Sequence, residues 1–409
     1  MSELITMHKS TFPRILITGL GCVSPLGNDV LTFWNKLING KSGIEDLTKI
    51  DTAGLRNIQG GEVRGLRWSD YGEEGDCDEA TQFAAIATHE AIADAHLTLA
   101  DLANAGIAFS TNFGGAASWE AACEMAPQAD VELFEQFTLE NAADYVANEW
   151  QIEGPSITLT DACSSGASAI GAACDWLRLG RAQIALCGGH DALGLSSLAG
   201  LSIMRTITPE LCRPFDANRN GTIFGEGAGI LVLETWESAH RRNAKVYGEI
   251  LGWSCNNNAY HLTAPDKNGA GLAAVMQQAL ENADVKPEQI DYINAHGTGT
   301  KYNDLAETLA IKSTFGERAK EIPVSSIKAA TSHTMGAAGA LEAIAVTQAL
   351  LHQRIPATLN YQTPDPECDL DYVPNEARSH EMRIALSNSS GIGGNNASLV
   401  IGVVEQPAL

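Results

Sequence analysis

The sequence predicts an α/β protein made of two related halves. Three observations carry that reading. Aliphatic runs of strand length alternate with helix-length segments along the chain. Several of the strands end in polar turns bounded by glycine. The order of elements in the first part is answered in the second: the strand, turn and helix at 157–179 by those at 324–351, and the closing strand 225–234 by 394–402. The two halves are drawn at 1–246 and 247–409.

Taken in order, 14–21 is an aliphatic strand running into glycines, and 28–37 has helical spacing of its apolar residues. Residues 40–75 are loop-rich. A helix follows over 78–95, its apolar positions Phe83, Ile86, Ala87 and Ile92 on one face. A short strand at 107–110 ends in Gly114-Gly115, and 117–150 reads as helical, acidic and studded with aromatics. The strand at 157 turns into a small-residue helix reaching about 179. A strand at 183–187, a helix at 191–205 and the strand 225–234 complete the first half. The second half has a strand at 247–253, a helix at 270–282, strands at 290–295 and 324–326, a helix at 336–351 and the strand 394–402.

With 409 residues, 44% of them hydrophobic, the chain can bury a large core. Its net charge of -24 argues against general binding to nucleic acid or anionic membranes. No apolar run reaches membrane-span length, and residues 1–13 lack the apolar centre of a signal peptide. The nine cysteines are scattered singly with no CxxC pair. Free thiols in a reducing compartment are therefore expected, with no metal site, and the protein is read as cytoplasmic.

Chemistry concentrates at strand ends. In Thr160-Asp161-Ala162-Cys163-Ser164-Ser165-Gly166, Cys163 lies where a strand becomes a helix. Small residues there permit a sharp turn, and the positive end of a helix dipole favours a thiolate. A lone cysteine is more often a buried structural residue. Three further turns weigh against that: Asn294-Ala295-His296-Gly297-Thr298-Gly299-Thr300, Ser326-Ile327-Lys328 running to Ser332-His333-Thr334, and Asn388 to Asn396 with three glycines. One histidine in such a turn is ordinarily a structural hydrogen-bonder. A cysteine, two histidines and a lysine, each at a strand end of a duplicated chain, form a catalytic constellation.

These stretches resemble the β-ketoacyl-acyl-carrier-protein synthases of the thiolase superfamily, in the elongating, type II branch. The likeness runs from Ile17-Thr18-Gly19-Leu20-Gly21 to Ile401 and includes Arg213-Pro214-Phe215-Asp216 and Gly225-Glu226-Gly227. The resemblance implies a thiolase fold, with duplicated βαβαβαββ halves in an αβαβα layering, and a dimer. It implies that Cys163 carries an acyl chain as a thioester, while His296 and His333 donate to the enolate formed when malonyl-carrier protein loses carbon dioxide. Lys328 would hold the site's electrostatics with Glu342 as its partner, and the backbone amides of Cys163 and Ile392 would form an oxyanion hole. Thr298 and Thr300 match positions that bind the phosphopantetheine arm. Leu201, Ser390 and Ile392 match the acyl pocket. No separate cofactor is implied, because the substrates ride on the phosphopantetheine of acyl carrier protein.

Three departures from the family pattern stand out. Ile392 occupies a gating position that is usually Phe, and Ser390 one that is usually aromatic. Ser332, before the second histidine, stands where Gly is usual and would restrict the backbone. Residues 117–150, including the acidic, aromatic Val131 to Phe137, match poorly. Features such as Tyr302-Asn303-Asp304 and Cys368-Asp369-Leu370-Asp371-Tyr372 lean toward the ketosynthase subunit of a type II polyketide synthase over housekeeping fatty-acid elongation. The expected partners are acyl carrier protein and either a second copy or a chain-length-factor homologue. Carrier proteins are acidic, so docking needs a local basic patch; Arg205 aligns with one, whereas Arg64 and Arg67 read as solvated surface. A non-catalytic chain-length subunit would lack Cys163. A degradative thiolase would carry a second cysteine in the last glycine loop, and 387–396 has none.

Overall fold

Nine consecutive residues, Ile15–Val23 (β1), are buried on both faces. The aliphatic and glycine run that forms them suits a strand covered above and below. In this computed structural model, which describes residues 12–72, 77–126, 134 and 136–404, β1 lies at the centre of a ten-stranded sheet. The other strands are Gly106–Ser110 (β2), Ser156–Leu159 (β3), Ile184–Asp191 (β4), Gly227–Thr235 (β5), Gly248–Asn257 (β6), Tyr292–Asn294 (β7), Val324–Ser325 (β8), Ile384–Ser390 (β9) and Asn395–Gly402 (β10).

Their spatial order is β8-β7-β9-β10-β6-β1-β5-β4-β2-β3. Each side of the centre has the same pattern. β3 and β2 pair parallel, as do β2 and β4, while β4–β5 and β5–β1 are antiparallel. Mirroring them, β8–β7 and β7–β9 are parallel, and β9–β10 and β10–β6 antiparallel. The halves join where Ile15–Ile17 of β1 meets Gly248–Ile250 of β6. The duplicated plan is thus written in strand direction.

The sheet folds around two helices, Ser165–Arg178 (α4) and Ala338–His352 (α8), each touching strands of both halves. Every residue from Ala338 to Leu350 of α8 is buried, as a helix walled in on all sides requires. Small residues let the pair close up. A Cβ on Gly339 would sit 2.6 Å from the Ala167 amide nitrogen. Outside, Glu79–Asp94 (α1) packs on β1 and β5, and Ala270–Ala283 (α6) on β6 and β10. The layering is the expected one.

Several local expectations needed revision. The region read as helical over 117–150 holds two helices, Ala116–Met125 (α2) and Asn141–Trp150 (α3); most of the acidic, aromatic segment, 131–133 and 135, lies outside the described residues. Strand β4 continues to Asp191, so the helix expected from 191 is the shorter Leu195–Ile203 (α5). A helix at Lys301–Phe315 (α7) was not anticipated. Residues 388–390, expected in a turn, end strand β9. No helix among the described residues is long and apolar enough to cross a membrane.

Candidate active site

Strand β3 sits at one outer edge of the sheet, and the chain turns sharply after it. Ala162 takes φ +58°, a left-handed value uncommon outside glycine, and Cys163 follows in a single 3₁₀ turn ahead of α4. The thiol is buried, 7% exposed. Gly391 packs on this elbow: a Cβ there would sit 3.1 Å from the Cys163 amide nitrogen. The missing side chain lets the loop 391–394 approach, and the Ile392 N–H donates to the Cys163 sulfur. Burial pushes the thiol up to about 11, against the pull of Lys328 and the Ile392 amide, with Asp191 and Glu342 adding to the rise. Burial thus opposes the thiolate that the helix terminus is expected to favour, while Lys328 and the Ile392 amide pull toward it.

The second half supplies the polar side of the site. Strand β7 ends at Asn294, and His296 lies two residues on, 2% exposed. Lys328, 1% exposed, directs its three donors at three acceptors. It contacts His296 Nδ1 at 3.3 Å, the His296 carbonyl at 2.6 Å and Glu342 Oε1. The expected Lys328–Glu342 pair is present and buried. Burial pushes the Glu342 carboxyl up and Lys328 draws it back. With Nδ1 of His296 accepting, the ring proton of the neutral imidazole is assigned to Nε2.

His333 is fixed by a different set of contacts and reaches the same state. Its backbone N–H donates to the Ile223 carbonyl at 2.7 Å, and its carbonyl accepts from Gly225 N–H at 3.0 Å. Phe224, between those two partners, stacks on the imidazole at 5.4 Å between ring centroids. The Met335 N–H donates to His333 Nδ1 at 3.3 Å, which again leaves the proton on Nε2. The two imidazoles meet edge to face, 5.3 Å apart. Both are held neutral: burial drives each pKa well below the ordinary value and the Lys328 charge adds to it, His333 contributing further for His296. The site therefore holds two neutral N–H donors beside a thiol.

Two clefts meet at Cys163, and Phe224 and Ile392 border both. One is lined by Cys163, His296, His333, Thr298, Thr300 and Ser390. Its two threonine hydroxyls lie 3.0 Å apart, and Ser390 donates to Asn396 Oδ1 at 2.9 Å. The other runs among Phe113, Leu201, Met204 and Met335. Leu201 is thus on the apolar side of the thiol, and Thr298, Thr300 and Ser390 are on the polar side. Arg205 stands apart, exposed just beyond α5 beside Ile203, which is 82% exposed. Arg64 is committed to Glu45 and Glu62, and Arg67 lies 3.7 Å from Asp70.

Three buried residues were missed as parts of the site. Glu307, on α7, accepts the amides of His296 and Gly297 at 2.8 Å each, and burial raises it to about 7. Asp191 accepts from Gly336 N–H at 2.6 Å and Thr111 Oγ1 at 2.6 Å, tying the segment after β2 to the turn before α8; burial raises it to about 6. Phe224 is the third.

The family model for the beta-ketoacyl synthase N-terminal domain matches residues 13–239, and that for the C-terminal domain 247–362. The 3-oxoacyl-acyl-carrier-protein synthase 2 of Staphylococcus aureus (strain N315) is 38% identical, over 95% of this chain and 97% of its own. Among solved structures, the ishigamide ketosynthase/chain length factor superposes with a TM-score of 0.93 at 36% identity, covering 97% of this chain and 100% of that one. A type II polyketide synthase ketosynthase, bound to the hexaketide in complex with its acyl-carrier protein, gives a TM-score of 0.91 at 33% identity over 96% of this chain and 100% of that one.

Proposed function

The chain belongs to the beta-ketoacyl synthase family, and on that premise we propose that it elongates acyl chains held on acyl carrier protein by decarboxylative condensation. The observation that carries this is the meeting of one thiol with two neutral imidazoles whose Nε2–H groups are both left free by their Nδ1 partners.

The Cys163 sulfur, deprotonated, attacks the carbonyl of the incoming thioester. A carbon–sulfur bond forms to Cys163, and the carrier thiol leaves with the proton. The amides of Cys163 and Ile392 stabilise the tetrahedral oxyanion. A malonyl thioester then enters; its bond to the carboxylate breaks, carbon dioxide departs and the electron pair becomes an enolate. His296 and His333 donate to the enolate oxygen. Its carbon attacks the Cys163 thioester, the thiolate is expelled, and the β-ketoacyl chain remains on the carrier. Neutral donors suit this step, because an imidazolium would protonate the enolate instead of holding it.

Leu201 and the apolar cleft would take the acyl chain, with Thr298 and Thr300 along the pantetheine path. Arg205 would receive the acidic carrier. Edge strand β3, with Ile157 38% exposed, would pair with a second chain. Likeness to a ketosynthase/chain length factor supports a chain-length-factor homologue as that partner and a specialised polyketide pathway as the setting; the S. aureus 3-oxoacyl-acyl-carrier-protein synthase 2 supports the condensation itself.

Intact-protein mass spectrometry with a panel of acyl-carrier proteins tests the reading. An adduct on Cys163 that disappears when malonyl-carrier protein is added, with a product two carbons longer, is the expected result. An adduct without turnover points to the missing partner subunit, and no adduct from any donor defeats the nucleophile assignment. Arg205→Glu should weaken use of carrier-bound donors and spare acylation by a small thioester; equal loss with both would remove the docking role.

A further inference from the structure

The residue before His333 is held in an unusual conformation. Ser332 is 1% exposed, with φ +65° and ψ 179°, a region populated almost only by glycine. Such a setting persists only where the surroundings over-determine it. Here they do. The Ser332 hydroxyl donates to the Thr331 carbonyl, and the Ser332 carbonyl accepts from Thr331 Oγ1 at 2.9 Å. The side chain fills a gap left by two glycines from distant parts of the chain. A Cβ built on Gly61 or on Gly225 would fall inside the radius of the Ser332 hydroxyl. Those glycines belong to the segments that clamp His333: Gly225 N–H donates to the His333 carbonyl, Gly61 N–H to the Phe224 carbonyl, and Glu226 N–H to the Gly61 carbonyl.

We propose that Ser332 is a positioning residue for His333, a wedge seated between Gly61 and Gly225 that fixes the backbone leading into the imidazole. The side chain contributes in two ways. Its Cβ and hydroxyl fill the space beside Gly61 and Gly225, and this packing holds the turn in a conformation that serine alone would leave. Its bulk also locks the 332–333 segment against 61 and 224–226, so the ring cannot shift without disturbing three segments. The inference rests on the reading of His333 as a donor to the enolate. A misplacement of about 1 Å at such a donor can cost up to about a hundredfold in rate.

The test uses the full-length protein and separates the two chemical stages. Ser332→Gly should lower kcat for condensation with malonyl-carrier protein about tenfold, while Cys163 acylation, followed by intact mass, stays within about twofold because the thiol elbow does not rest on this turn. Ser332→Ala keeps the Cβ and should retain condensation to within about threefold. Gly61→Ala should depress the melting temperature by driving its methyl into the Ser332 hydroxyl. The double variant Gly61→Ala/Ser332→Gly should regain part of that loss, since the two nearest atoms to the new methyl belong to the Ser332 side chain, while the next, Pro25 Cγ at 2.9 Å, remains.

Unchanged condensation in Ser332→Gly overturns the proposal. So does an equal fall in acylation, which marks a general structural effect, or a double variant no more stable than Gly61→Ala. If the wild-type protein acylates but turns over no malonyl donor, the functional reading fails instead, and the melting comparison still decides whether the wedge exists.

Discussion

The turn that follows β3 and the turn that follows β8 occupy mirrored places, each leaving an outer strand of its half to enter one of the two central helices. Chemically they are opposites. Before α4 the chain presents one buried thiol beside an apolar cleft, its proton held tightly. Before α8 it presents a buried lysine, paired with Glu342 on α8 itself, and a histidine kept neutral beside another from the β7 turn. One half holds the bond to be made; the other is built for the charge that appears while it is made. A duplicated fold can divide the labour in this way because each copy of the turn is free to be tuned on its own, and the division predicts that the stages can be broken separately.

The largest effect should come from Cys163→Ala. It should abolish the acyl adduct and cut condensation by at least about a thousandfold, yet release of carbon dioxide from malonyl-carrier protein should continue, because both imidazoles remain. Loss of decarboxylation along with the adduct would show that the halves do not act independently. His296→Ala or His333→Ala should give the reverse pattern: condensation lower by about 10²–10³, with the adduct formed at close to the wild-type rate. The thiol's own pKa gives a sharper form of the same test. Because it is raised to about 11, the thiolate fraction grows about tenfold for each pH unit below that value. Alkylation of Cys163 by iodoacetamide should therefore climb steadily from pH 7 to 9 without a plateau; a plateau near neutrality would mean the thiol titrates far lower than burial dictates.

Lys328 is where the two halves touch electrically, since it pulls the thiol pKa down and those of both histidines down as well. Lys328→Met leaves Glu342 buried without a partner, a loss of about 3–5 kcal/mol in stability. Removing the cation also lets both histidine pKa values rise toward their ordinary range, so the acid limb of the condensation rate should move to higher pH. Lys328→Met/Glu342→Leu should recover most of the melting loss but not the wild-type pH profile. Recovery of both would make the ion pair purely structural.

What could be read in advance follows the same divide. Cys163, His296, Lys328 and His333 sit at strand ends beside glycines, and strand ends are where local sequence marks structure most clearly. The alternation of strands and helices showed the duplication for the same reason. Strand β9 was harder: its end from Asn388 reads as a turn, but in the fold Ser387 and Asn388 are bonded across the sheet, with Ser398 Oγ donating to Asn388 Oδ1 at 2.8 Å and Asn294 Nδ2 to Ser387 Oγ at 3.1 Å. Glu307 lies eleven residues beyond the histidine whose amide it holds, and nothing local separates it from a solvated helical carboxylate. The His296 tautomer depends on Lys328 from another strand end, and the wedge at Ser332 on Gly61 and Gly225, each more than a hundred residues away, distances that no short window of sequence contains.

Ile392 offers the smallest effect and the finest comparison, because it borders both clefts at once. Its amide points at the Cys163 sulfur, so the backbone serves the first stage whatever the side chain. The side chain is half-buried and stands between the acyl side and the entry side. Gly393 and Gly394, at φ +92° and +85°, give the loop room to adjust around a larger group. Ile392→Phe should therefore leave acylation by short donors unchanged and slow long donors about two- to fivefold, the range expected when an overpacked side chain can still move aside. Competition between short and long acyl-carrier donors, read by mass spectrometry of the Cys163 adduct, measures this directly. An unaltered chain-length profile would mean that Ile392 contributes its amide alone and that the path to the apolar cleft is controlled by Phe224, the other side chain shared by both clefts.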